Sequence, residues 1–323
     1  MKKNVAIIAG GYSSEYEVSI RSAQNLYTFV DKALYNVYIL IIEKDKWYVR
    51  FPDSQTAPVD KNDFSFQDKN NRVKIDYAYI TIHGTPGENG FLQGYLEMLH
   101  IPYSSCNTLT SALTFNKYTC NQFLKAKGIL VADSIRLRHG EPVNENEIIA
   151  RLGLPVFVKP NESGSSFGAT RVKETSEIRT AVEKAFLEGN EVLIERFISG
   201  TEVTCGCYKT CGEVVVFPVT EIVTTNDFFD YSAKYMGEVQ EITPARIPDE
   251  VTKCIRRETA EIYEIIDAKG IIRIDYIIPP DKTPVLLEVN TTPGMTGTSF
   301  IPQQVKAAGL DMKNVMTNII ENR

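Results

Sequence analysis

The chain has 323 residues, 43% of them hydrophobic and 24% charged, with 35 basic against 41 acidic residues and a formal charge of −6. That length implies two or three compact units, and the lack of a basic excess argues against a nucleic-acid binder. The apolar run after Met1-Lys2-Lys3 is too short for a signal peptide and the one over 37–42 far too short to span a membrane, so a cytoplasmic protein without membrane contact is expected.

In chain order, residues 5–9 form an apolar run stopped by Gly10 and Gly11, the pattern of a buried strand entering a glycine turn. Ile20, Ala23, Leu26 and Val30 then recur at helical spacing over 19–30. Strands follow over 35–42 and 77–83, and a helix near 91–100. This alternation predicts a parallel sheet with helices packed on it. The stretch 51–72 is rich in Asp, Asn, Lys and Gln and reads as an exposed loop.

A helix is predicted over 110–127 and a strand over 156–159, followed by a Gly/Ser-rich stretch over 161–169. Next come a strand over 170–173, a helix over 176–188 and a strand over 192–198. Residues 202–208 and 213–222 suit an antiparallel sheet. A long polar loop dotted with aromatics spans 224–244 and is expected to act as a lid over a bound nucleotide. A helix near 249–269, strands over 271–278 and 285–290, and two closing helices complete the chain.

Cys106, Cys120, Cys205, Cys207, Cys211 and Cys254 form no CxxC pair and have no histidine at zinc-finger spacing. Free thiols in a reducing compartment are expected. The strongest local chemistry lies in the last two strands. Side chains alternate across a strand, so Arg273 and Asp275 share one face, as do Glu288 and Asn290 on the next. If these strands pair, three oxygen ligands and an arginine converge, a set suited to Mg²⁺. A merely solvated polar face fits the periodicity equally well. Lys159 before the small residues of 161–168 suits a phosphate cradle of backbone N–H groups plus one cation, although no P-loop motif occurs. Locally, Glu15 and His83, each beside a glycine turn, read more readily as structural.

The order of these pieces is more specific than any one of them. GGYSSEYEVS at 10–19, HGTPGENG at 83–90, VKPNESGSSFG at 158–168, VLIERFISGTEVT at 192–204, DYSAKY at 230–235, RID at 273–275 and LEVNTTPGMTGTS at 287–299 closely resemble the D-alanine–D-alanine ligases. The resemblance implies an α/β chain of ATP-grasp architecture. An N-terminal parallel α/β domain (1–112) would precede an ATP-grasp domain (113–323), itself made of a central α+β part (113–199) and a C-terminal antiparallel-sheet part (200–323).

It further implies ATP-dependent joining of two D-alanine molecules through a D-alanyl phosphate. The alternatives are a D-alanine–D-lactate ligase, another ATP-grasp carboxylate–amine ligase, or a nucleotide-binding regulator without turnover. By the resemblance, Lys117, Lys159 and Lys234 contact the ATP phosphates, Glu195, Arg196 and Ile198 surround the adenine, and Glu202 binds the ribose. Asp275, Glu288 and Asn290 hold two Mg²⁺ ions, with Mn²⁺ as a substitute. Glu15 binds the first D-alanine's ammonium in a set with Ser165 and Tyr235. Arg273 and the Gly294 amide stabilise the oxyanion, and Ser299 with Phe300 holds the second carboxylate. A homodimer is implied as well. Asn89, Asn116 and Phe300 depart from the usual residues at their positions, Phe300 adding bulk near the second substrate.

Overall fold

A computed structural model describes residues 2–164, 167–224 and 239–321. Ser165, Lys234 and Tyr235, and residues 225–238 of the expected lid, lie outside the described residues.

Strand β1 (Lys3–Gly10) is apolar on both faces because both are covered. It lies between β2 (Tyr35–Ile42) and β7 (Tyr77–Ile80), parallel to each. Val5 and Ile7 pack with Ile20, Ala23 and Leu26 of helix α1 (Tyr16–Phe29). Ala6 and Ile8 pack on the other side with Leu92 and Leu96 of α2 (Phe91–Met98).

An antiparallel meander of β3 (Trp47–Arg50), β4 (Thr56–Asp60), β5 (Ser65–Asp68) and β6 (Asn71–Lys74) extends β2, and β4, β5 and the start of β6 occupy the stretch 51–72 where an exposed loop was expected. These strands are only four or five residues long. Few of their side chains, among them Val49, Ala57, Val59 and Phe66, reach the core, so their composition reads as polar.

The helix expected over 110–127 is two, α3 (Thr108–Phe115) and α4 (Lys117–Ala126), broken at Asn116, whose side chain accepts from the Thr119 N–H as an N-cap. A four-stranded sheet follows, in the order β10 (Thr170–Val172), β9 (Val156–Pro160), β11 (Glu191–Arg196), β8 (Ser134–Arg138). Helices α5 (Glu145–Leu152) and α6 (Ile178–Phe186) bury Ile148, Leu152, Ile178 and Val182 in its core. Neither β8 nor α5 was expected from the sequence.

The last sheet is antiparallel. Its described strands are β12 (Thr201–Thr210), β13 (Glu213–Val216), β14 (Thr220–Thr224), β15 (Val239–Ile242), β16 (Ile272–Ile278) and β17 (Val285–Asn290). Helix α7 (Asp249–Ile265) covers one face, packing Ile255, Ile262 and Tyr263 against Ile272, Ile274 and Tyr276. Helices α8 (Phe300–Ala307) and α9 (Met312–Ile320) return to the first sheet: Ile301, Val305, Met312 and Met316 share one core with Ile20, Ala23 and Leu26 of α1.

Among the described residues no helix is long and apolar enough to cross a membrane. All six cysteines are free thiols, and Cys106, Cys120, Cys205 and Cys207 are buried.

Candidate functional site

Strands β16 and β17 pair antiparallel with Asp275 opposite Glu288 and Arg273 opposite Asn290, so the four side chains do share one face. The Arg273 guanidinium grips the Asp275 carboxylate through Nε and Nη2 at 2.9 and 2.8 Å. Thr204 donates to the same carboxylate from β12, and the Asn290 amide donates to it at 3.1 Å and to Glu288 at 3.5 Å. Burial lowers the Arg273 pKa, but Asp275 and Glu288 outweigh that and hold it above the ordinary arginine value. Two carboxylates and an amide within hydrogen-bond reach form an all-oxygen donor set, which fits a hard divalent cation.

Two cavities open on this face. The smaller, about 140 Å³, lies between the central and last sheets and includes Lys159, Glu195, Arg196, Ile198, Glu202 and Asp275 in its lining. Lys159 pairs with Glu195 at 2.7 Å. Burial disfavours its ammonium, yet Glu195, Glu288 and Glu202 hold its pKa above the usual lysine value. Phe157, Phe167 and Phe197 supply apolar wall, with Arg171 stacked 4.0 Å from the Phe197 ring centre. A cation at one end and an apolar, aromatic slot at the other suit a nucleotide.

The larger cavity, about 360 Å³, is lined by Glu15, Arg273, Gly294, Ser299 and Phe300 among others. Lys117, Ser163, Gly164 and Glu288 line both cavities, so the two meet there. Lys117, at the start of α4, donates to the Ser163 carbonyl at 2.6 Å and faces Glu288 at 3.6 Å.

Glu15 occupies the N-cap position of α1 without capping it by its side chain. Its carboxylate reaches Gly164 so closely that a Cβ there would lie 2.2 Å from Oε2. The same helix fixes the 291–299 loop from below: the Ser22 hydroxyl accepts from the Met295 N–H at 3.2 Å, and Asn25 donates to the Met295 carbonyl at 2.7 Å. Ser299 is the N-cap residue of α8, its hydroxyl tied to the Thr296 N–H and hydroxyl at 3.0 and 2.8 Å. The Phe300 ring lies over the Arg273 guanidinium at 5.4 Å.

Two further groups line this wall: His83, which reads from the sequence as structural, and Glu88, which no sequence pattern singles out. His83 is 6% exposed, with Nδ1 bonded to the Thr292 carbonyl at 2.9 Å and Nε2 buried without a partner among the described residues. Burial holds its pKa below the ordinary value even though Glu15 favours the charged form. Glu88 accepts from the Gly84 N–H at 2.7 Å, and burial, then the Glu15 charge, pushes its carboxyl up to about 8. A lone histidine or acid beside a glycine turn carries no periodic signal, and only the meeting of distant loops places these two here. The departing residues have settled partners. Asn89 donates to the Thr85 hydroxyl at 3.0 Å, and Asn116 to Glu162 at 2.7 Å.

Residues 4–106 match the family described as D-ala D-ala ligase N-terminus and residues 123–321 the D-ala D-ala ligase C-terminus. A D-alanine--D-alanine ligase of Parabacteroides distasonis is 62% identical over 100% of this chain and 98% of its own. One of Phocaeicola vulgatus is 59% identical over 100% of both. Among solved structures, a VanG D-Ala:D-Ser ligase from Enterococcus faecalis superposes with a TM-score of 0.87 at 32% identity, covering 99% of each chain. A Bacillus anthracis D-alanine--D-alanine ligase complexed with ATP superposes with a TM-score of 0.79 at 29% identity, over 99% of this chain and 96% of that one. Full-length likeness at this level, on a site whose charged face and paired cavities suit the same chemistry, makes the chain a member of the D-alanine–D-alanine ligase family.

Proposed function

We propose that the chain joins two D-alanine molecules to D-alanyl-D-alanine at the expense of ATP, through a D-alanyl phosphate, to supply a cell-wall precursor in the cytoplasm. The observation that carries the reading is that a cavity lined by Lys159 and aromatic rings meets a second one lined by Glu15, Arg273 and Ser299, at Lys117, Ser163, Gly164 and Glu288.

In this reading Lys117 and Lys159 bind the phosphates, while Glu195, Arg196 and Ile198 frame the adenine and Glu202 the ribose. Glu15 takes the ammonium of the first D-alanine, and the carboxylate of that substrate attacks the γ-phosphate, displacing ADP and giving D-alanyl phosphate. Arg273 and the Gly294 amide then stabilise the oxyanion formed when the second D-alanine, its ammonium having lost a proton, attacks the acyl carbonyl; the oxyanion collapses as phosphate leaves. Ser299 and Phe300 hold the second carboxylate at the start of α8, where helix N–H groups favour an anion. Asp275, Glu288 and Asn290 would hold Mg²⁺, whose charge neutralises the crowded phosphates. Ser165, Lys234 and Tyr235 complete the set by resemblance alone. Units 1–112, 113–199 and 200–323, and a homodimer, belong to the same proposal.

Product analysis by mass spectrometry tests it, with D-alanine, D-lactate and L-alanine in competition and ATP limiting. The expected product is D-alanyl-D-alanine. A dominant D-alanyl-D-lactate ester, or no ATP-dependent product, would overturn the reading.

A further inference from the structure

The larger cavity contains a carboxylate with no counterpart in the scheme above. Glu241, on β15, lines it together with Arg273, Ser299 and Phe300. Gln303, in the first turn of α8, donates one amide to both Glu241 and the Thr298 carbonyl. The strand carboxylate is thereby tied to the loop that begins the helix. Burial holds the Glu241 pKa above the ordinary carboxylate value, and the Gln303 bond and the Arg273 charge oppose it only in part.

Two amino-acid substrates bring two ammonium groups into one cavity, and each needs a counter-charge once water is excluded. Four glutamates line that cavity: Glu15, Glu88, Glu241 and Glu288. Glu15 serves the first ammonium. Glu88 is a poor counter-ion, because burial keeps its proton on to about pH 8. Glu288 faces Lys117 and the oxygen-donor face. Glu241 remains, on the side of α8 where the second carboxylate would be held.

We infer that Glu241, positioned by Gln303, is a specificity-determining residue of the acceptor subsite, its carboxylate being the counter-ion of the second amino acid's ammonium group. The inference rests on the ligase reading above. It commits the acceptor to a small zwitterion and disfavours a hydroxy acid, which brings no cation to add to the Arg273 charge beside Glu241.

The test is initial-rate analysis of full-length wild type and Glu241→Gln, which keeps an oxygen for Gln303 but removes the charge. The KM values of the two D-alanines are resolved, D-alanyl phosphate is trapped with hydroxylamine, and the D-alanine to D-lactate product ratio is read in competition. Loss of one charge contact should raise the acceptor KM about tenfold. The donor KM and the trapped hydroxamate should stay unchanged, and the D-lactate share should rise. Should Glu241→Gln not fold, Gln303→Ala releases the carboxylate and should likewise raise the acceptor KM alone. An unchanged acceptor KM and product ratio, or donor and acceptor KM rising together, would overturn the assignment while the ligase reading stood. A wild type that makes no dipeptide would overturn both.

Discussion

Gly164 owes its lack of a side chain to Glu15, whose Oε2 would lie 2.2 Å from any Cβ placed there. Gly164→Ala should therefore push the carboxylate off its place without touching a core. Misplacement on the ångström scale costs about 100-fold in rate, so kcat/KM for D-alanine should fall by that order while the melting temperature stays close to wild type. Glu88 gives a second prediction at this scale. Its ordinary pKa is 4.5, and burial with the Glu15 charge raises it to about 8 in the fold. The folded state thus keeps a proton that the unfolded chain has lost. The stability this confers is full below about pH 4.5 and disappears as pH rises through about 8. Melting temperature should decline between pH 5 and 9 in wild type and decline less in Glu88→Gln. Equal slopes would exclude Glu88 as the source. The Arg273, Asp275, Glu288 and Asn290 face was legible from strand alternation, because parity is local. His83 was not, since its partner carbonyl lies 209 residues away at Thr292.

At the scale of elements, the junction of α4 with β9 holds the boundary at which the two cavities meet. Asn161, fully buried, accepts from the Tyr118 N–H at 2.8 Å and donates to Glu191 at 2.7 Å, while its carbonyl accepts from the Lys117 N–H at 3.2 Å. One side chain thereby locks the lysine-bearing helix to the strand that carries Lys159. Asn161→Ala would strand a buried N–H and loosen Glu191, at a cost of roughly 1–3 kcal/mol. The KM for ATP should rise more than that for D-alanine, which steady-state kinetics would show. The break at Asn116 that creates this helix start was invisible to pattern reading, because apolar periodicity runs through both α3 and α4. The β3–β6 meander escaped for the opposite reason: strands of four or five residues offer too few repeats for alternation to register. Long strands with alternating or wholly apolar faces, such as β2 and β17, were placed correctly to the residue.

Across the whole molecule the cores are unequally shared. The central sheet keeps its own, built from Ile148, Val158, Val182, Ile194 and their neighbours. The core beneath the larger cavity joins α1 on one side to Met295, α8 and α9 on the other, with Tyr208, Phe217 and Ile271 of the last sheet region packed between the chain's two ends. Glu15 and the Ser299 loop therefore sit on a single packed body, and their spacing is fixed by side-chain volumes. That seam limits how the sequence can be recombined. A hybrid taking residues 4–106 from a relative near 30% identity would set foreign α1 side chains against native α8 and α9. It should melt below both parents, by roughly 2–4 °C for each kcal/mol of packing lost. Carrying residues 291–321 across in the same exchange should recover most of the loss, the remainder being the contacts with native Tyr208, Phe217 and Ile271, whereas exchange of 134–196 alone should leave it unchanged. The opening and closing segments of this chain are thus a single heritable unit, separated in the sequence by nearly everything else.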